Sequence, residues 1–501
     1  MALAQTMTES IEPGTLVDGF RLEEKIHQGS MAEIWRVSHS DQTSALAMKI
    51  PSWRDSADPA ALVGFEVERM ILPRLSGPHA PRFVASGDGP PQPYLVMERV
   101  AGESLRARLD ETPLPLAEVA SIGARVAAAL HDLHGQRVIH LDVKPSNVMF
   151  RETGEAVLVD FGLSRHEEIP DLLAEQFRLP MGTGPYISPE QIRGIRSDPR
   201  SDQFGLGVLL YFLTTGQRPF GNPTSVGGLK RRLYRDPTPP RAIRSECPPW
   251  LQEVILRCLE VAPENRFDRA AQLSFALQHP DEVRLGERAR RTTRDGVVAV
   301  ARRRLRLIGE PGPGERAAVS PGGAPIVVIA IDLAQGSQAL SEALRHTAGR
   351  VLATEPRTRL ACLTVLKTAR IALETGAGAA GRNLRIRTLG KLKRWTRPLG
   401  TGPGKVTHHV LEAPDPAAAI LEFARANRVE QVNHRVAREL DTSTLPGERV
   451  FPGRGPGRVH RHGGQGAASR RGAGGRLAWV ETDRRQRSRR TLRLTLMTTR
   501  N

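Results

Sequence analysis

At 501 residues the chain is long enough for two or three domains, each able to bury a core. Its three cysteines, Cys247, Cys258 and Cys362, lie far apart without C-x-x-C spacing, which argues against a disulfide framework or a zinc site and points to a reducing, cytoplasmic setting. The opening MALAQTMTES lacks a signal peptide's apolar segment, and no apolar run reaches the roughly 18 residues of a membrane span, so no membrane partner is expected. The net charge of +18 invites a nucleic-acid reading. Its distribution weakens that reading, because residues 433–501 alone hold 16 arginines, no lysine and 5 acidic residues. With aromatics at 4% and no recognition module, nucleic acid ranks last among the partners.

Residues 1–19 are polar and are expected to be a disordered N-terminus. From Phe20, FRLEEKIHQGSMAEIWRV alternates apolar and polar residues about a glycine, predicting strand, turn, strand. ALAMKI, from Ala45 to Ile50, is a further strand and carries Lys49. FEVERMILPRL has Phe65, Leu72 and Leu75 near helical spacing and carries the acids Glu66 and Glu68. Tyr94 to Val100 is an apolar strand that turns polar, and the Ala-rich run Leu116 to Leu133 predicts a core helix without a site.

Then comes VIHLDVKPSNVMF, from Val138 to Phe150, followed by LVDFGL, from Leu158 to Leu163. An apolar run, a polar loop and an apolar strand ending in Asp-Phe-Gly put Asp142, Lys144 and Asn147 on one loop and Asp160 on a turn facing it. Phosphoryl transfer needs these types: a carboxylate to accept the hydroxyl proton, a cation to steady the moving phosphoryl group, and two oxygen-bearing side chains for Mg²⁺.

These motifs, in this order, resemble the bacterial-type Ser/Thr protein kinases over residues 20–279. The resemblance implies an α+β two-lobed protein kinase fold, ATP and Mg²⁺ as cofactors, and protein substrates bearing Ser or Thr. Asp142 would orient and deprotonate the hydroxyl, Lys144 would offset negative charge, and Asn147 and Asp160 would hold Mg²⁺. Lys49 would reach the phosphates with Glu68 as its partner, because F-x-x-E-x-x-x-L spacing fits Glu68 better than Glu66. Further nucleotide contacts are implied at Ile26, Gly29, Ile34 and Ala47, and at Met97, Glu98 and Val100 in the hinge between lobes. Thr183 would bridge Asp142 and Lys144, and Glu190 would pair with Arg266. Asp202 would cap the catalytic-loop backbone or serve as an ordinary helix N-cap.

The chain departs from the family pattern twice. The three positions of G-x-G-x-x-G read His27, Gly29 and Ala32, so two of them carry a Cβ where phosphate would approach backbone. The arginine that usually precedes the catalytic aspartate, and receives a phosphorylated side chain, is Leu141. Between Arg165 and Gly182 there is no Ser or Thr, only acids such as Glu167, Glu168, Asp171 and Glu175. Activity is therefore expected not to need activation-segment phosphorylation. The same departures keep open a pseudokinase that binds nucleotide or acts as a scaffold with little transfer.

Residues 280–324 are rich in Arg, Gly and Pro and are expected to be a solvated linker containing a basic helix, the alternative being that the basic part touches acidic surfaces or nucleic acid. From 325 to 432 strands alternate with helices: PIVVIAIDL ending in Asp332, SQALSEALRHTAGRV, LACLTVLK, KVTHHVLEA, and a helix opened by Asp415 or Pro416. This predicts a doubly wound parallel α/β sheet. The order and the P-A-A-A-I-L-E-F-A run resemble the universal stress protein family, some of whose members bind ATP. Asp332 would then lie near the nucleotide, or serve as a helix cap. The family's G-x-x-G-x(9)-G-[ST] motif is absent, and no apolar strand remains after Val432 until the short LAWV, so the sheet is expected to be incomplete with an open edge. Dimerisation through such sheet edges is implied where the tail is intact. Residues 433–501 read as an Arg/Gly-rich disordered tail or as a segment translated out of frame. Shifted by one base, the stretches from Pro446 and Val459 are compatible with Leu-Gly-Ser-Val-Ser and with Cys-Thr-Val-Thr-Val-Val-Lys-Val, a phosphate turn and a terminal strand.

Overall fold

The structure, a computed structural model, describes residues 12–29, 32–51, 59–87, 93–177, 179–308, 325–333, 338–355, 357–368, 379–400, 404–429, 431–435 and 493–497. The first lobe is an antiparallel sheet of β1 (Leu16–Val17), β2 (Phe20–Gln28), β3 (Ala32–His39), β4 (Gln42–Pro51), β5 (Phe83–Gly87) and β6 (Tyr94–Glu98), in the order β1-β2-β3-β4-β6-β5. Two-residue alternation sorts its faces. Leu46, Met48 and Ile50 of β4 are buried with Leu22, Trp35, Val37 and Val96, which leaves Ala47 and Lys49 on the opposite face. Ile34 lies across from Lys49, and Ala47 across from Met97, so these four share that face. The helix α1 (Pro59–Ile71) buries Val63, Phe65, Val67 and Ile71.

The second lobe is built on α2 (Leu116–Gly135). After it come the short strands β7 (Val138–Ile139), β8 (Val148–Phe150), β9 (Ala156–Leu158) and β10 (Arg165–His166), and the helices α3 (Leu172–Gln176), α4 (Pro189–Ile192), α5 (Arg200–Thr215), α6 (Val226–Lys230), α7 (Pro249–Cys258) and α8 (Ala270–Gln278). The pairs β7–β10 and β8–β9 frame the loop that carries Asp142, Lys144 and Asn147. α5 is apolar almost all round and buried almost all round, as a central helix must be. A Cβ on Gly123 of α2 would lie 2.6 Å from Leu210 of α5 and 2.9 Å from Leu277 of α8, so the glycine permits that close packing. α5 stops at Gly216, whose φ of +69° is a left-handed cap that costs glycine nothing.

The stretch 280–308, expected to belong to a solvated linker, instead packs on this lobe. It forms α9 (Glu287–Arg290) and α10 (Val297–Ile308). Ala289 is buried, its N–H and that of Gly286 donate to Glu253, and Arg291 and Arg303 both pair with Asp236. The correction has a simple cause: the arginines that made the stretch look like a solvated run meet acids of the lobe. Residues 309–324, the Gly/Pro-rich remainder, lie outside the described residues.

The C-terminal part is a parallel sheet. It comprises β11 (Ile326–Ala330), α11 (Gln338–Thr354), β12 (Arg359–Lys367), α12 (Ala379–Thr396), β13 (Val406–Ala413), α13 (Pro416–Ala426), β14 (Gln431–Arg435) and β15 (Arg493–Met497), with strand order β13-β12-β11-β14-β15. Val327, Ile329, Leu360 and Cys362 pack on Leu344, Leu392 and Trp395 of α11 and α12, while Val328, Ala330, Ala361 and Leu363 pack on Phe423 and Ala424 of α13. Both faces are covered, which is why these strands read as unbroken apolar runs. Asp415 caps α13, its Oδ1 accepting from Ala417 N at 3.0 Å and Ala418 N at 3.2 Å. α12 has no counterpart in the sequence analysis, because six Lys and Arg residues mask the spacing that buries Leu392 and Trp395. No strand was expected after Val432 except LAWV. The structure pairs Arg493–Met497 with β14 through backbone groups, while LAWV and the stretches from Pro446 and Val459 lie outside the described residues. Among the described residues no helix is long and apolar enough to cross a membrane.

Candidate active site

Lys49 Nζ lies 2.5 Å from Glu68 Oε2 and 2.9 Å from Asp160 Oδ1. β4 supplies the lysine on its cleft face, and α1 supplies Glu68, which is only 1% exposed. The other oxygen of Glu68 accepts the N–H of Phe161 at 3.2 Å, so one carboxylate ties the first lobe's sheet to the Asp-Phe-Gly turn. Burial alone would lower the Lys49 pKa, but Asp160 and Glu68 reverse this and raise it. Burial pushes Asp160 up, yet Lys49, and then Lys144, hold its carboxyl down to about 2. Both groups are charged at neutral pH. Asp160 sits at φ +67° and Leu141 at φ +62°, left-handed conformations that cost a side-chain-bearing residue roughly 1–2 kcal/mol.

The loop that carries Asp142, Lys144 and Asn147 is fixed from below. Asp202 lies in the first turn of α5, past the N-cap Pro199, and its carboxylate accepts from His140 N at 2.9 Å, Leu141 N at 2.7 Å and His134 Nε2 at 2.9 Å. It therefore serves the loop backbone rather than its own helix's cap. His140 closes over Phe161 with ring centroids 5.2 Å apart. On the loop, Lys144 Nζ lies 2.6 Å from Asp142 Oδ2 and donates to Thr183 Oγ1 at 2.9 Å. Thr183 Oγ1 in turn donates to Asp142 Oδ1 at 2.8 Å. Asn147 Nδ2 donates to Asp142 Oδ2 at 3.1 Å and to its carbonyl at 3.0 Å. The structure thus joins Asp142, Lys144, Asn147 and Thr183 in one network, and Lys49, Glu68 and Asp160 in a second one.

At the expected hinge, Glu98 spends its carboxylate on Arg151 and on the N–H of Arg82, and its own N–H donates to the Arg82 carbonyl at 2.8 Å. Val100 is buried, Met97 and Ile34 are half-buried, and Ile26 is 42% exposed. A Cβ on Gly29 would come within 3.3 Å of the Ala32 carbonyl, a tight approach that the glycine avoids.

Sequence reasoning missed two supports. Arg232 is 1% exposed and donates to the carbonyls of Gly184, Pro185 and Ile187, the segment that follows Thr183. Burial lowers its pKa to about 10. Its setting in KRRLYR gave no sign of burial. Gln191 donates to the carbonyls of Leu141 and Met181, and its role in the Ser188 capping box hides among ordinary helix signals. Glu190 and Arg266 meet as a buried bidentate pair at 2.6 and 3.1 Å.

The sequence profile of the protein kinase domain matches residues 20–280. The chain is 32% identical over 270 residues to the serine/threonine-protein kinase PknB of Mycobacterium tuberculosis, covering 53% of this chain and 43% of that protein. It is 30% identical over 292 residues to PknB of Mycolicibacterium smegmatis, with 56% and 47% covered, and 32% identical over 282 residues to the serine/threonine-protein kinase pkn3 of Myxococcus xanthus, with 54% and 51% covered. The chain therefore spans about half the length of the curated relatives it matches. The crystal structure of the PknI kinase domain of Mycobacterium tuberculosis aligns with a TM-score of 0.42 at 24% identity, covering 54% of this chain and 99% of that one. Over residues 20–280 the chain belongs to the protein kinase domain family, with serine/threonine-protein kinases among its relatives.

Proposed function

We propose that this protein transfers the γ-phosphoryl group of Mg²⁺-bound ATP to Ser or Thr hydroxyls of proteins. The observation that carries the reading is the network of Asp142, Lys144 and Thr183 on the loop beside Lys49, Glu68 and Asp160. The donor set fits the cofactor: the Asp160 carboxylate and the Asn147 amide offer hard oxygens for Mg²⁺, and Lys49 offers a fixed ammonium for phosphate. When bound, Mg²⁺ neutralises charge on the transferring phosphate. Asp142 accepts the proton of the incoming hydroxyl, Lys144 stands beside the same carboxylate to offset negative charge, and Thr183 fixes both. Glu68 keeps Lys49 turned into the cleft.

His27 and Ala32 in the phosphate loop favour the second reading, a nucleotide-binding scaffold with little transfer. Labelled-ATP transfer by the full chain, against Asp142→Asn, separates the two: a labelled protein product lost in the variant supports the kinase, and equal background in both supports the scaffold.

The 325–432 region reads as a universal stress protein-like module, which would place the kinase in cytoplasmic stress signalling. Its support is the parallel sheet covered on both faces and the Asp415-capped helix α13. Binding of a fluorescent ATP analogue to Asp332→Ala in a background of Lys49→Met would test nucleotide at this module, and gel filtration would test dimerisation through its sheet edge.

A further inference from the structure

Glu175 sits on α3, in the middle of the segment between the Asp-Phe-Gly turn and Thr183. It is 12% exposed, so its charge needs a partner. Among the described residues its ion-pair partners come from the C-terminal sheet. Arg359, at the start of β12 and 8% exposed, meets it with both arms, Nη2 to Oε1 at 2.5 Å and Nη1 to Oε2 at 3.1 Å. His409 Nε2 of β13 lies 3.6 Å from Oε2, and Asn427 beyond α13 reaches the Glu175 carbonyl at 3.4 Å. Arg359 is itself fixed, because Nη1 also donates to Thr407 Oγ1 at 2.9 Å and its N–H donates to the Pro325 carbonyl.

A second contact lies on α1. Lys393 of α12 reaches Glu66 Oε1 at 2.6 Å. Residues two apart on a helix point in nearly opposite directions. The same helix therefore turns Glu68 to Lys49 and Glu66 to the second domain. α3 packs between α1 and α13 through the buried Leu172 and Leu173 on one side and the Glu175 cluster on the other.

Leu141 leaves no arginine beside Asp142 to receive a phosphate, and residues 165–182 hold no hydroxyl to carry one. The segment is nonetheless held by a negative charge meeting a bidentate guanidinium. Here the acidic group is an encoded carboxylate, which burial pushes toward a higher pKa and Arg359 pulls back, and the guanidinium belongs to another domain. We infer that the C-terminal domain is the docking partner of the activation segment, and that Arg359 is a positioning residue for phosphoryl transfer, acting through Glu175 while Lys393 steadies α1 through Glu66. The inference deepens the kinase reading and rests on it for its effect on rate. The docking itself is independent of that reading.

The test uses the full chain with Arg359→Glu, Glu175→Arg, their double charge swap, and Lys393→Glu. Two measurements are taken: hydrogen exchange over 165–183 and 59–71, and kcat and KM for ATP and a protein substrate. Each single change at 359 or 175 should raise exchange over 170–177 and lower kcat by about tenfold or more, with KM for ATP nearly unchanged, and the double swap should restore most of both losses. Lys393→Glu should loosen 59–71 and give a smaller fall in kcat. Unchanged exchange over 170–177, a rise in kcat on breaking the pair, or a double swap no better than its parents would overturn the inference. If Arg359→Glu unfolds its own domain, seen as fast exchange in β11–β13, Glu175→Gln on the kinase side gives the same reading and must show the same loosening. If wild type transfers no phosphate, the kinase reading fails, and the exchange result still decides the docking.

Discussion

Glu190 and Arg266 lie 76 residues apart in sequence and meet with both nitrogens on both oxygens, at 3% and 0% exposure. Arg266 also donates to the carbonyls of Glu260 and Arg200, which binds the segment after Thr183 to the base of the second lobe. Arg266→Ala would leave a carboxylate buried without its counter-charge. The expected cost is about 3–5 kcal/mol, read as a lower urea midpoint for the kinase lobe. A loss under about 1 kcal/mol would show that the site relaxes or admits water.

Asp202 holds the backbone of His140 and Leu141, and Leu141 is already in a left-handed conformation. Asp202→Ala orphans two buried N–H groups, at about 1–3 kcal/mol each. Thermal unfolding should register that loss, and kcat should fall with it because Asp142 rides on this loop. Asp202→Asn keeps one acceptor oxygen and should recover part of both.

Thr183 donates to Asp142 and accepts from Lys144. Thr183→Ser keeps the hydroxyl and should retain most activity. Thr183→Ala removes it and should lower kcat by about tenfold, the size of one charge-assisted hydrogen bond, with the fold unchanged by circular dichroism. Equal activity in both variants would place the effect elsewhere.

His409 is fully buried among Thr407, Phe423, Arg359 and Glu175. Burial, then the nearby Arg359 and His408, hold its pKa well below 6.5. The unfolded chain takes up a proton near its ordinary pKa of about 6.5, and the folded chain does not. Stability of the C-terminal domain is therefore full above that pH and falls as pH drops below it. Denaturation of the full chain at pH 7.5 and 5.5, followed at Trp395, should show the fall, and His409→Gln should reduce it. A pH-independent midpoint would contradict the assignment of a neutral imidazole.

The residues that meet at the candidate site were legible because they are close in sequence or follow fixed motif spacings: Asp142, Lys144 and Asn147 share six positions, and Asp160 stands in its own turn. The choice of Glu68 over Glu66 was also readable, since the F-x-x-E-x-x-x-L spacing of the family resemblance fits Glu68, and Glu68 is the residue that meets Lys49. What Glu66 does instead was not, because Lys393 lies 327 residues away and nothing local marks the pair. Arg232 and Arg359 escaped for the same reason. A buried arginine looks like a surface one until the carbonyls or carboxylates that surround it are brought in by the fold. The basic stretch 287–308 was misjudged in the opposite sense, as charge on a chain says nothing of the acids waiting on a distant surface.

The most direct test is transfer of labelled γ-phosphoryl from ATP to a protein substrate by the full chain, with Asp142→Asn alongside. The wild type should label the substrate on Ser or Thr, and the variant should lose at least about a hundredfold in kcat while keeping its fold and its nucleotide affinity. Transfer by the variant at the wild-type rate would contradict the assignment of Asp142 and the cleft built around it.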